Sequence, residues 1–242
     1  MAKHWVGCSG FHYKHWIDVF YPKDLPKRKW FEYYTRFFNT LELNVTFYRF
    51  PRLPALEMWY NNAPAEFRFC VKVPKAITHF KQFNDTQRMV GDFYGTTIEG
   101  LKDKLGCVLF QLPPRTKYTE EKLEKILQNI DPAFSNVLEF RNESWWNAEV
   151  YNKLAANKIA FCGMSHPQYP DEVIANTSTI YYRFHGVPEL YKSPYTIYKL
   201  KKFAAEIKAA GALKETYLYF NNDIDGSAVH NAIQMRKLMD KK

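Results

Sequence analysis

Cysteine is scarce in this chain: four occur in 242 residues, and no two form a C-x-x-C pair. That spacing argues against a dithiol redox couple or a cysteine-built zinc site. Cys8, Cys70, Cys107 and Cys162 each fall inside an apolar strand-like run, the setting of reduced, buried packing residues. No apolar run reaches membrane-spanning length, and the opening MAKHWVGCSG enters a strand-like run with no signal-peptide core. A cytoplasmic protein without a membrane partner is the expectation. G-x-G-x-x-G, H-E-x-x-H and G-x-S-x-G are also missing, which removes the usual dinucleotide fingerprint, the zincin helix and the hydrolase nucleophile elbow.

Aromatic rings are plentiful, with 19 Phe, 17 Tyr and 6 Trp, enough for a thick core, an aromatic-walled cleft, or both. The formal charge is +9 and the pI near 9.2, a balance that favours acidic partners. The excess is spread along the chain, so it also fits lysines on outer helices that keep the protein in solution.

Strand-like and helix-like segments alternate throughout. Eight strand candidates are 4–9, 41–48, 67–73, 106–112, 137–141, 159–165, 180–185 and 216–221. Amphipathic helical patterns occupy 30–38, 53–61, 86–104, 119–130, 148–157, 195–210 and 228–239. Only the connection from Pro167 to Ser178, between strands six and seven, lacks a convincing helix. Eight such units in this length specify an α/β protein of the (β/α)8 TIM-barrel type, in one domain spanning residues 1–242. A doubly wound sheet competes, but its first turn would carry the glycine fingerprint, and Gly7-Cys8-Ser9-Gly10 does not fit.

Within the strands a period of two separates the faces. Strand two sets Glu42, Asn44 and Thr46 against apolar odd positions. Strand three offers Lys72, strand four Gln111, strand five Glu139 and Arg141, strand seven Arg183 and His185, and strand eight Tyr219, Asn221 and Asp223. Six strands thus direct polar groups at one place, the C-terminal mouth, where barrels carry their sites.

At these positions GCSGFHYKHW, the YY-x3-F-x-T-x-E-x-N-x-TFYR stretch from Tyr33 to Arg49, KLGCVLFQLPP, EFRNESW, Ser165-His166, YRFHG and YFNND resemble the domain-of-unknown-function 72 (YecE-like) family. The resemblance spans nearly the whole chain. It implies a TIM barrel with no established activity, and by analogy of fold a kinship with endonuclease IV and sugar isomerase barrels.

Arg141, Arg183 and Lys72 would form a cationic cluster suited to a phosphate or carboxylate, with Asn44, Gln111 and Asn221 beside it. His185-Gly186 and Asn221-Asn222-Asp223, followed by Gly226 at a helix start, occupy the place of the usual phosphate cup. Alternatively Glu139 and Asp223 pair with the arginines and simply close the barrel top. For proton transfer the candidates are His185 first, then Glu139, Asp223 and Glu42; His166 reads as scaffold. Trp145 and Tyr191 are the expected ligand stackers, and Trp16, Tyr48 and Trp146 the expected loop-packing rings. No metal-ligand set is apparent: Asn221-x-Asp223-x-Asp225-Gly226 opens like an EF-hand but has Ala232 at the twelfth position. No cofactor is assigned.

Three functional readings follow. One is a metal-independent hydrolase, lyase or isomerase acting on a phosphorylated or otherwise anionic, sugar-like or nucleotide substrate. The second is a nucleic-acid-binding module without chemistry, and the third a metal-dependent phosphodiesterase like endonuclease IV.

Overall fold

The computed structural model describes residues 2–240. Eight strands, β1 Lys3–Cys8, β2 Thr40–Leu43, β3 Arg68–Lys72, β4 Leu105–Gln111, β5 Ser135–Glu139, β6 Ala160–Ser165, β7 Thr179–Phe184 and β8 Glu215–Phe220, form one parallel sheet in the order β1-β8-β7-β6-β5-β4-β3-β2. Among the described residues eight α-helices accompany them: α1 Trp30–Thr35, α2 Val45–Tyr48, α3 Leu53–Asn62, α4 Gln87–Leu101, α5 Glu120–Asn129, α6 Ala148–Ala156, α7 Ile197–Ala209 and α8 Ser227–Asp240. The result is a (β/α)8 barrel, and no helix lies between β6 and β7, as the sequence predicts. There the loop is tied down by Asn176, which accepts from the Phe161 N–H and donates to the Ile159 carbonyl. Among the described residues no helix is long and apolar enough to cross a membrane.

The seam between β1 and β2 closes the barrel by side chains. Strand pairing contributes a single bridge, Ser9 to Glu42. Beside it the Tyr34 hydroxyl accepts from the Cys8 N–H at 2.8 Å and donates to the Thr40 carbonyl at 2.9 Å. Asn39 spans the same gap, accepting from Val6 N–H and donating to the His4 carbonyl. The approach is so close that a Cβ on Gly7 would lie 2.2 Å from the Thr40 oxygen, which explains glycine at this position.

Outward residues such as Leu41, Phe69, Val108, Phe110, Leu138 and Phe161 pack under the helices. Inward ones separate into two layers. The lower includes Trp5, Cys70, Cys107, Val137, Tyr181, Tyr217 and Tyr219, and the upper is the charged ring. All four cysteines are buried and unpaired.

One strand is shorter than its pattern. The alternation predicts extended chain to Tyr48, yet β2 stops at Leu43 and α2 follows as a single turn. The Thr46 hydroxyl lies within hydrogen-bond distance of the Leu43 and Lys72 carbonyls. Thr46 therefore turns the chain and braces the end of β3; it does not reach the mouth.

Candidate active site

The charged ring is organised around Arg183, which β7 brings into the barrel axis. Its Nη1 donates to Glu139 Oε2 at 2.6 Å and its Nη2 to Glu42 Oε1 at 2.7 Å. Glu42 also accepts from the Ser9 and Tyr181 hydroxyls, each at 2.6 Å. Arg141, two residues beyond Glu139, closes an ion pair from its Nε to Glu139 Oε1. Burial alone would raise the Glu139 carboxyl, but Arg141 and Arg183 outweigh it and hold the group at about 2. Both glutamates are fully buried and fully engaged. Expected as proton-transfer groups, they instead have their oxygens committed to buried donors and position two arginines.

His185 is likewise displaced from its expected role. It lies buried beneath the cavity, its Nε2 2.9 Å from Arg141 Nη2. A guanidinium can only donate, so Nε2 accepts and the proton of the neutral ring sits on Nδ1, 3.1 Å from the Asn221 side-chain amide, which accepts it when its oxygen is turned to the ring. Burial first, then Arg141 and Arg183, push its pKa well below the ordinary value, so the ring is neutral and its free lone pair is occupied. Gly186 leaves no room for a ligand: at φ +93° its Cβ position is 2.9 Å from the Glu189 carbonyl of its own loop.

Above the ring opens a cavity of about 520 Å3. Lys72, Arg141, Arg183, Asn44, Gln111 and Asn221 line it, as the parity of the strands predicts. Asp223 and Tyr191 lie on its wall too. Arg141 Nη1 has no partner among the described residues, and Arg183 Nε and Asn44 Oδ1 are buried without one. Such atoms are where a bound group finds hydrogen bonds. Burial, then the Arg183 charge, pulls the Lys72 ammonium down to about 7, with Glu139 and Glu42 acting in the opposite direction.

Two expectations about aromatic rings are reversed. Trp145 is wholly buried, stacked on Phe140 at 4.0 Å, and its indole N–H donates to the Thr116 carbonyl; it packs the loop and cannot stack a ligand. Tyr48, expected to pack, is 67% exposed on the cavity rim because the α2 turn swings it outward. Trp16 is buried, and its indole N–H donates to Asp223 Oδ1 at 2.6 Å. Trp146 stacks on Tyr169. His166 is buried, with Nδ1 accepting from the Gln168 N–H.

The supposed phosphate cup is also filled from within. Asn222 is buried, donating to Ser193 and Asn231, and Gly226 abuts Val19.

Sequence reasoning missed His15. It sits in the short helical turn Lys14–Trp16 after β1, lines the cavity, and places Nε2 2.9 Å from Asp223 Oδ2. Burial raises the Asp223 pKa, while Trp16 and His15 counter it. A loop residue carries no periodicity; the only signal was its place in GCSGFHYKHW. Beyond Tyr13, Asn44 and Tyr48, which the two share as a wall, lies a more apolar groove of about 670 Å3 holding Phe11, Phe31, Met58 and Trp59. A cavity of about 900 Å3 also opens at the opposite end of the barrel, around Lys3, Lys158, Lys214 and Glu215, away from the inward ring.

The family model described as protein of unknown function DUF72 matches residues 5–242. The chain belongs to the DUF72 family. UPF0759 protein YunF of Bacillus subtilis (strain 168) is 24% identical over 258 residues, covering 92% of this chain and 91% of that protein. UPF0759 protein YecE of Escherichia coli (strain K12) is 33% identical over 82 residues, 34% of this chain and 30% of its own length. The crystal structure of a DUF72 family protein from Thermotoga maritima MSB8 superposes with a TM-score of 0.89 at 29% identity, covering 99% of this chain and 100% of that one. A second, from Enterococcus faecalis V583, shares the fold at a TM-score of 0.83 and 19% identity, over 99% of this chain and 96% of that one.

Proposed function

We propose that the mouth of the barrel is the active site of an enzyme for a small anionic substrate, a sugar phosphate or nucleotide-like compound. The observation that carries this reading is the charge balance of the buried ring. Two glutamates match two arginines, and Lys72 remains without an ion-pair partner among the described residues, facing a cavity that also receives a free edge of Arg141. An anion entering there meets uncompensated positive charge in a poorly solvated place.

Proton transfer falls to His15. Asp223 engages Nε2 and orients the ring, leaving Nδ1 to exchange a proton with substrate, the arrangement by which a carboxylate sets an imidazole for acid–base work. The adjoining aromatic groove gives space for the sugar or base portion. A side-chain mechanism is favoured over a metal-based one, since the cations on the cavity would repel a divalent ion. Among the described residues no three His, Cys, Asp or Glu side chains gather as metal ligands.

Turnover of a panel of sugar phosphates and nucleotides tests the reading. His15→Ala and Asp223→Asn are expected to lower kcat about 10²- to 10⁴-fold on any substrate found, the usual range for a lost acid–base group. Full turnover by both variants would overturn the assignment.

A nucleic-acid reading retains one specific support. Exposed Tyr48 and Phe80 flank Lys75, whose Nζ lies 5.4 and 5.5 Å from the two rings, a pattern that stacks unpaired bases. Single-strand binding that weakens steeply with salt and with Phe80→Ala would favour it; absence of binding at low salt would remove it.

A further inference from the structure

Lys72 is placed with more care than an anion-binding lysine needs. It ends β3, and its carbonyl oxygen is 2.6 Å from the Thr46 hydroxyl, which fixes the backbone at the mouth. The side chain is 8% exposed and lines the cavity. Its Nζ has no hydrogen-bond or ion-pair partner among the described residues and stands 4.0 Å from the centre of the Phe47 ring. The charged groups that bear on it are Arg183 and Arg141, with Glu139 and Glu42 opposing, and each of those carboxylates is already held by an arginine. A lysine walled by an aromatic ring and crowded by other cations is the setting in which an amine is activated as a nucleophile.

We propose that Lys72 is a catalytic nucleophile that forms an imine with the carbonyl carbon of a small anionic aldehyde or ketone. This rests on the anionic-substrate reading above and narrows it to a carbonyl compound, with lyase or isomerase chemistry. The Nζ lone pair forms the C–N bond as the carbonyl π pair moves to oxygen. One proton passes from nitrogen to that oxygen, giving the carbinolamine. A second proton, lent by the His15–Asp223 pair, lets the oxygen depart as water while the nitrogen lone pair forms C=N, and the iminium then returns its N–H proton to that pair. Amine and carbonyl thus give imine and one water, with no oxidant or reductant. The His15–Asp223 pair, on the same cavity, is the proton carrier, and Arg141 holds the anionic group. The lowered Lys72 pKa, about 7, leaves uncharged amine available at neutrality, where an ordinary lysine is almost wholly protonated.

The test is reductive trapping of the full chain with glycolaldehyde phosphate and cyanoborohydride at pH 7, with peptide mass mapping. Sulfate binding to the same protein is measured in parallel by titration calorimetry. The expected result is modification of Lys72 at least about tenfold faster than of any other lysine, slowed by sulfate. Lys72→Arg is expected to retain sulfate binding and to show no modification at position 72. The wild-type mapping decides even if that variant misfolds. Even labelling across the lysines, with sulfate still bound, would overturn the nucleophile and leave the anion site standing. Neither labelling at Lys72 nor sulfate binding would overturn both.

Discussion

The two layers inside the barrel are built by the same strands and do opposite things. One step of two residues turns Cys70 into Lys72 on β3, Val137 into Glu139 on β5, and Tyr181 into Arg183 on β7. The lower layer packs rings and thiols: Tyr217 stacks with both Trp5 and Tyr181 at 6.1 Å, and the Tyr219 hydroxyl meets Thr40 Oγ1 at 2.5 Å. It removes apolar surface from water and satisfies its hydroxyls, so it stabilises the fold. The upper layer buries Glu42, Lys72, Glu139, Arg141 and Arg183, with a neutral His185 beneath them. Desolvating ions costs about as much as their pairing returns, so that layer contributes little stability, which fits the site proposed there. Tyr181 joins the two, its ring in the lower layer and its hydroxyl on Glu42.

Substitutions separate the layers, starting with the largest expected effect. Arg183→Met strips the shared partner from two buried carboxylates and is expected to cost about 3–5 kcal/mol of unfolding free energy, measured by denaturant titration. A loss under about 1 kcal/mol would show that the ring is solvated and its pairing unimportant.

Lys72→Met has the opposite sign, a gain on the order of 2–3 kcal/mol near pH 6, because it removes a buried and unpaired ammonium. The lysine pKa is lower in the folded chain, about 7, than in the unfolded chain. Below about pH 7 both states carry the charge and the penalty is present in full. As pH rises from there towards the ordinary lysine value, the folded chain releases a proton that the unfolded chain keeps, and stability climbs. The advantage of the variant should therefore shrink between pH 6 and pH 10 in thermal melts, and a constant difference would contradict the shift. Tyr219→Phe, in the lower layer, is expected to lose only about 1 kcal/mol through its hydrogen bond to Thr40, without effect on any ligand.

The same contrast explains what was legible beforehand. Strands repeat every two residues, so the sequence alone assigns Glu139, Arg141, Arg183 and Lys72 to one face and one end, and with them the barrel. Parity could not say that Glu42 and Glu139 spend their oxygens on arginines, or that Arg141 and Asn221 enclose His185. Those depend on distances across the barrel between strands remote in sequence. Loops obey no period at all: Trp145 turns inward onto Phe140, Tyr48 turns outward after the Thr46 turn, and His15 finds Asp223 across more than two hundred residues. The β1–β2 seam was hidden for the same reason, since Asn39 and Tyr34 close it through side chains.

Sulfate titration of the wild type and of Lys72→Met at low salt and pH 6 tests the central claim most directly, because sulfate keeps its charge while the protein titrates. An anion site built on Lys72 predicts measurable wild-type binding that weakens about tenfold or more in the variant, a change of about 1.4 kcal/mol. Equal affinities in the two proteins, or no binding in either, would contradict it.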